Sequence, residues 1–496
     1  MNTLLVYPEY PDTFWSWKRI MKIICRKAAF PPLGLLTVAA MLPAAWNKKL
    51  IDMNVSELKD EDILWADYVL ASAMITQKES AKKVIERCNK LGVRVIAGGP
   101  LFTTGYEEFS GVEHFVLGEA ENIFPVLLGG LEKGCAKKVY TSGVRPNIGS
   151  APIPLWELIN PKDYVSLSVQ NSRGCPFDCE FCDIVVMNGR VPRVKSAEQF
   201  LAEIDAIKKT GFRGGVLVVD DNFIGNRVKV RAMLPKLIQW QRENGYPFTF
   251  STEATINLAD DEKFMDSMAI AGFDQVFLGL ETPSSAGLVE CGKSQNKNRD
   301  VVASVKKIQR HGMHTAGGFI VGFDSDTESI FEDQIDFIQK SGVVVAMVGL
   351  LQALPKTRLY ERLFKEGRIL DACTGNNTDC FLNFKPKMDG KTLLEGYKRV
   401  VGIIYSPKEY YKRICTFLKE YKPRGKKSKR IDWVNLRAFA MSIWHIGITG
   451  SWRYKWCYWK TLFVVFFRYR KAFPEAVALL IWGLHLREIA DTISKA

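Results

Sequence analysis

The stretch Ser172-Arg-Gly-Cys175-Pro-Phe-Asp-Cys179-Glu-Phe-Cys182 constrains this chain more than any other. Cysteines spaced C-x3-C-x2-C, in a loop opened by Gly174 and Pro176, can turn three thiolates towards one point. A [4Fe–4S] cluster normally takes four cysteine ligands, so three leave one iron open to a ligand that is not protein. A zinc site would want a fourth Cys or His close by, and no His lies between His114 and His311. A disulfide framework is excluded by the compartment the chain implies. Met1-Asn-Thr-Leu-Leu-Val-Tyr has no basic n-region and reads as a strand from its third residue, so no secretory signal is expected. Eleven irregularly spaced cysteines then imply reduced, cytosolic thiols. The bland alternatives are three packing cysteines or a zinc loop. The other eight read as packing residues, with Cys373 and Cys380, flanking a polar Thr-Gly-Asn-Asn-Thr-Asp loop, as a second candidate for redox or substrate contact.

At 496 residues two or three domains are expected. Residues 1–145 alternate apolar runs with helical stretches: Leu4–Tyr7, Lys49–Asp52, Tyr68–Ser72, Val93–Ala97 and His114–Leu117 read as strands, and Pro32–Leu42 as an apolar helix. Such alternation predicts a doubly wound, Rossmann-like parallel sheet, with ligand beyond the C-terminal strand ends. The loops there are Pro8 to Trp17, Ser72 to Thr76, Gly98-Gly99-Pro100 and Gly118-Glu119-Ala-Glu121. No G-x-G-x-x-G follows the first strand, which counts against an ordinary dinucleotide site. Residues 146–163, rich in Pro and Gly, read as a linker.

From 164 to 365 the pattern predicts a partial (β/α)6 barrel, with strands at Tyr164–Val169, Gly215–Asp220, Phe248–Glu253, Gln275–Glu281, His314–Gly322 and Val343–Leu351. Ser196-Ala-Glu-Gln199 reads as a capping box for the helix after the cysteine loop. Polar residues at C-terminal strand ends of a barrel carry chemistry. Here these are Asp220-Asp221-Asn222, Glu253, Glu281-Thr282 and Gly322, each acid weighed against a helix cap or salt bridge. His311 and His314, before the fifth strand, are further catalytic candidates.

The formal charge is +14, and from Ser406 onward roughly 19 Lys and Arg face 6 Asp and Glu, so the rest is nearly neutral. The region 366–496 reads as mostly helical, with a basic run at Tyr421–Arg430 and many Trp and Phe interleaved with Lys and Arg. No apolar run reaches the length of a spanning helix. Trp, Phe and Leu beside cations suit the plane of an anionic membrane surface. A buried helical cap on the barrel is the next reading, and nucleic acid the least favoured, because Leu462–Phe467 and Val477–Trp482 are too apolar for a stacking platform. The expected location is the cytoplasm, peripheral at the inner membrane face.

The cysteine spacing, with Phe181 before the last cysteine, resembles the signature loop of radical S-adenosylmethionine (radical SAM) enzymes, in which SAM chelates the open iron of a [4Fe–4S] cluster. The loop set of the first domain resembles the cobalamin-binding domain that precedes many of them. Over nearly the whole length, including Phe319–Asp324 and Leu354–Tyr360, the chain resembles the cobalamin-dependent radical SAM group that includes the hopanoid C-2 methylase.

The resemblance implies cluster ligation by Cys175, Cys179 and Cys182. It places Asp220 and Asn222 near the methionyl amino group, Glu253 and Glu281 on the ribose or substrate side, and Phe181 and Gly322 as further SAM contacts. Ser72, Gly98, Gly99, Gly118 and Glu119 would hold cobalamin. Two departures matter. The D-x-H-x-x-G loop is absent, so cobalamin is expected base-off without a histidine ligand, and the usual Gly-Gly-Glu after the second barrel strand is Val-Asp-Asp-Asn. The implied activity is C-methylation of an unactivated carbon, of a lipid or polyprenoid, using a flavodoxin- or ferredoxin-type reductant. The alternative is a non-methylating rearrangement, cyclisation or carbon–carbon coupling. A tRNA-modifying enzyme and a non-enzymatic cofactor sensor are more distant rivals.

Overall fold

In the computed structural model, residues 1–376, 378–424 and 433–495 are described, the side chains of 433–435 excepted. The first sheet consists of β1 (Asn2–Tyr7), β2 (Asn47–Asp52), β3 (Tyr68–Ser72), β4 (Arg94–Gly98), β5 (His114–Leu117) and β6 (Val139–Thr141). All are parallel, in the order β2-β1-β3-β4-β5-β6. Leu4, Leu5 and Val6 are wholly buried because helices cover both faces. One such helix, Lys78–Lys90, turns Ala81, Val84, Ile85 and Cys88 inward at helical spacing. The chain reverses its direction of travel across the sheet between β1 and β3, which opens a crevice beyond their C-terminal ends. The sixth strand was not among the sequence expectations.

The segment 146–163 is packed rather than free. It carries three short 3-10 turns, Trp156 is buried, and Leu155 N–H donates to Leu36 O at 3.1 Å.

The second sheet, open and parallel, runs β7 (Ser166–Val169), β10 (Gly214–Val218), β11 (Phe248–Ala254), β12 (Phe273–Glu281), β13 (His314–Val321) and β14 (Val345–Leu350), neighbours in that order. These are the six strands the sequence predicts. Between β7 and β10 a short antiparallel ladder, β8 (Ser172–Arg173) with β9 (Arg193–Val194), brackets the cysteine loop. The Ser196 side chain accepts from Gln199 N–H at 3.1 Å and starts the helix Ala197–Lys209, but the expected capping box is only half formed, because Gln199 Nε2 donates to Ile148 O and Ala151 O instead.

An open barrel leaves β14 as an edge with unpaired backbone groups. The C-terminal helices close it. Tyr405, at the end of helix Gly390–Ile404, donates to Ala346 O at 2.7 Å and accepts from Ala346 N–H at 3.1 Å. The fully buried Arg413 of helix Pro407–Glu420 donates to Val344 O, Ile404 O and Gln339 Oε1. The loop after β1 also differs from expectation. Instead of lining the crevice, it reaches the same helices: Phe14 is buried 6.2 Å from the Tyr405 ring, Trp17 lies against Trp482 and His485, and His485 Nε2 is 2.9 Å from Thr13 O. Large aromatic groups gain more by burial than a solvent loop could offer them. One apolar core consequently runs from Phe14 and Ile20 through the barrel to helix Phe473–Lys495.

Candidate active site between the two sheets

The cysteine loop is tied down from behind by the residues that end β10. Asp220 accepts four hydrogen bonds from the start of the loop: Asn171 N–H (2.7 Å), Ser172 N–H (2.8 Å), Ser172 Oγ (2.6 Å) and Asn171 Nδ2 (3.2 Å). These use the lone-pair directions a carboxylate has, so Asp220 positions the start of the cysteine loop. Burial raises its pKa to about 6 against those bonds. Asp221 accepts from Gly174 N–H at 2.7 Å and from Asn188 Nδ2, which pins the loop one residue before Cys175. Gly174 has φ +101, and a Cβ there would press on the Gly189 and Val191 carbonyls at 3.0 Å.

All three loop cysteines are free thiols. Asn222 Nδ2 approaches Cys175 Sγ at 3.9 Å, and Gln295 Nε2 approaches Cys179 Sγ at 4.0 Å. Burial, the leading effect, holds all three thiols above the ordinary range. Among the described residues no three or more His, Cys, Asp or Glu are gathered for a single metal ion. The loop offers three free thiols with amide donors aimed at two of them, a set that fits a thiolate-held cluster and its outer hydrogen bonds.

Above the loop lies the segment Cys291–Asn296, joined to it by Glu180 N–H to Cys291 O at 2.9 Å. From it Lys293 reaches Glu281 Oε1 at 2.6 Å, both side chains being almost fully buried. Burial pulls the Lys293 ammonium down, but Glu281 and the sulfurs of Cys179 and Cys182 more than restore it, so it stays charged beside the loop cysteines. Glu281 is a non-glycine residue at φ +62, a strained backbone state that concentrates at functional sites. The buried Gln295 Oε1 and Asn296 Oδ1 have no partner among the described residues. Glu253, the penultimate residue of β11, has an exposed side chain, and no group among the described residues bonds its carboxylate. Desolvation by the protein around it, ahead of the Asp221 charge, raises its pKa to about 7, against Lys293. An unpartnered acid, orphaned amide oxygens and a fixed cation fit the polar ends of a SAM molecule. Lys293 was missed by the sequence reading because it belongs to no strand end.

The crevice of the first sheet opens into a cavity of about 340 Å3 lined by Ser72, Gly98, Gly99, Gly118 and Glu119, and by Arg173, Asn188, Lys195 and Glu203 from the barrel side. A Cβ on Gly99, at φ +88, would collide with the Ser72 hydroxyl, and one on Gly98 would lie 3.0 Å from Val116 O. This glycine cradle fits the close approach of a cobalamin, and no histidine lines it. Glu119 and Glu121 reach the other domain. Glu119 accepts from Arg173 NH1 (2.7 Å) and Arg193 NH1 and NH2 (2.8 and 2.7 Å), and Glu121 from Arg173 NH2 (2.8 Å). The β8–β9 ladder sets Arg173, two residues before Cys175, opposite Arg193, and Glu119 and Glu121 together neutralise the pair.

The remaining candidates lie further out. Phe181 packs 6.4 Å from Phe323 in a satellite apolar cluster with Leu359 and Leu363. Gly322, φ +108, donates its N–H to Asp326 and faces Leu393. Cys373 donates to Gln352 Oε1 at 2.9 Å just beyond β14. His311 precedes β13 and His314 opens it, at the end of the sheet opposite the cysteine loop. His314 is buried between Phe417 and Trp482, with its pKa lowered to about 3 by burial.

Comparison with known proteins agrees with this architecture. The B12 binding domain family matches residues 21–128, the radical SAM superfamily 169–338, and a domain of unknown function, DUF4070, 357–496. The chain is 36% identical to the uncharacterized methyltransferase sll1242 of Synechocystis sp., over 99% of this chain and 92% of that protein. It is 32% identical to the hopanoid C-2 methylase of Rhodopseudomonas palustris, over 92% of this chain and 88% of that one. The structure of the cobalamin-dependent radical SAM enzyme OxsB has the same fold, with TM-score 0.63 at 14% identity over all of this chain and 80% of that one. The fold and site define an enzyme that joins a B12-binding domain to a radical SAM barrel. The chain belongs to the cobalamin-dependent radical SAM methyltransferases, in the group that contains the hopanoid C-2 methylase.

Proposed function

We propose that this enzyme methylates an unactivated carbon of a lipid of the polyprenoid type. The observation that carries the reading is the Glu119–Arg173 contact, which joins the glycine-lined cavity to the cysteine loop, so that both cofactors address one substrate. The lipid class is supported by full-length kinship with an enzyme whose name specifies a hopanoid. When bound, the cluster, SAM and cobalamin supply a carbon-centred radical and a transferable methyl group. The chain's own residues do the rest. Cys175, Cys179 and Cys182 hold the cluster, with Asn222 and Gln295 hydrogen-bonding towards two of the sulfurs. Lys293 keeps a positive charge beside them. Glu253 and the Gln295 and Asn296 amide oxygens receive donors of SAM or substrate. Ser72, Gly98, Gly99 and Gly118 cradle cobalamin, base-off and without a histidine. A flavodoxin- or ferredoxin-type protein delivers the electron.

The test is lipid mass spectrometry of a gene-deleted strain and its parent, both fed deuterium-methyl methionine. The expected result is a lipid in the parent that carries a labelled methyl group and is missing that group in the deletant. A lipid that vanishes without ever carrying label would replace methylation by rearrangement or coupling. An unchanged lipidome would overturn the substrate class.

A further inference from the structure

Helix Trp452–Arg468 buries only one side. Tyr458, Thr461, Leu462 and Val465 face the protein, whereas Trp452, Trp456, Trp459, Phe463, Phe466 and Phe467 stand outward. Their exposures run as high as 74% for Trp452, 67% for Trp456 and 66% for Phe463. Spacings of three and four residues put them on one stripe. Trp444 and Ile448, in the turn before the helix, extend it. At about 200 Å2 per aromatic side chain and a little over half exposure, the six aromatics alone present roughly 600 Å2. That is at the upper limit of the largest apolar patch on a typical monomer, and such patches mark contact sites.

The charge around the stripe has one sign. Between Asp432 and Glu475 the chain contains no Asp or Glu. Arg453, Lys460, Arg468, Arg470 and Lys471 are all exposed, and among the described residues none forms a salt bridge. Arg453 lies over Trp452 and Arg470 over Phe466, at 6.0 and 5.5 Å from the ring centroids. No helix among the described residues is long and apolar enough to cross a membrane.

We propose that this face of the C-terminal region, in a domain family without assigned function, docks on an anionic lipid bilayer. The aromatic stripe enters the headgroup boundary and the flanking cations meet lipid phosphates and carboxylates. Trp at an interface, an apolar face of limited depth and a basic rim are the features of a helix lying in the membrane plane. A second copy is a poorer occupant, because self-pairing would set cations against cations with no acid between them. The proposal does not depend on the methyl acceptor being a lipid, and its test involves no turnover.

The experiment is co-sedimentation of the full-length protein with vesicles of phosphatidylcholine alone or with about a third phosphatidylserine. The expected result is binding to the anionic vesicles, at least tenfold weaker on pure phosphatidylcholine or in high salt. Trp456→Gln with Phe463→Gln should lower it at least tenfold with thermal melting unchanged, since both side chains are exposed. Charge removal at Arg453, Lys460, Arg468, Arg470 and Lys471 (all to Gln) should erase the preference for phosphatidylserine. Absence of binding to either vesicle would overturn the proposal. So would a stable dimer in light scattering that W456Q/F463Q converts to monomer, or a salt-dependent RNA complex lost in that variant while vesicle binding persists.

Discussion

Lys293 and Glu281 show how one side chain can matter to both stability and chemistry. Their 2.6 Å ion pair is almost fully out of water and lies beside two of the loop cysteines, Cys179 and Cys182. Removing one partner strands a buried charge, which costs about 3–5 kcal/mol, whereas removing both is far milder. Lys293→Met should therefore destabilise the apo protein by about that amount in urea, and adding Glu281→Gln should recover most of it. Iron bound per chain should stay low in both, because the charge beside the sulfurs is gone in each. Glu253 makes a different prediction, through pH. Its folded pKa of about 7 lies above the ordinary carboxyl value of 4.5, so the folded state binds the extra proton. The resulting stability is complete below the ordinary value and is lost as pH rises through about 7. Melting temperature should therefore fall between pH 5 and 8 more steeply in the wild type than in Glu253→Gln. Equal slopes would mean that the side chain is open to bulk water.

At the scale of elements, the open edge of the barrel is the point of weakness, and Tyr405 is its closure. One hydroxyl serves both the N–H and the C=O of Ala346. Tyr405→Phe keeps the ring and leaves two buried backbone groups unpaired, so a loss of about 1–3 kcal/mol is expected in chemical denaturation. The sequence made the repeating elements legible. All six barrel strands could be read because buried parallel strands are short, continuous apolar runs, and the cysteine loop because its spacing has few other uses. What it concealed depends on distance along the chain. Tyr405 meets a strand 59 residues away. Lys293 reaches the cluster loop from a turn with no periodic signature. Asp220, conspicuous at a strand end, is consumed by backbone and side-chain donors of residues 171–172, some 48 residues earlier in the chain. Phe14 and Trp17 lie in what reads as a ligand loop, and their aromatic character was the available sign that the loop is buried.

For the whole molecule, the two sheets matter less as separate domains than as the two walls of one chamber. Their meeting point is electrostatic: Arg173 and Arg193 share Glu119, and Arg173 also holds Glu121. Because Arg173 stands two residues before Cys175, displacement of the Gly118–Glu121 turn should be transmitted to the cysteine loop. Two substitutions separate this coupling from simple loss of a cofactor site. Gly99→Ala forces a side chain into a left-handed backbone and against the Ser72 hydroxyl, remote from the cysteines. It should abolish hydroxocobalamin binding while leaving reconstituted iron near the wild-type level. Arg173→Gln leaves Glu119 with Arg193 but strands the buried Glu121. It should weaken hydroxocobalamin at least tenfold and lower iron loading in the same protein, measured by titration and by iron analysis. If Arg173→Gln lost only one of the two, the junction would be a structural contact, and the sites would be assembled independently by their own sheets.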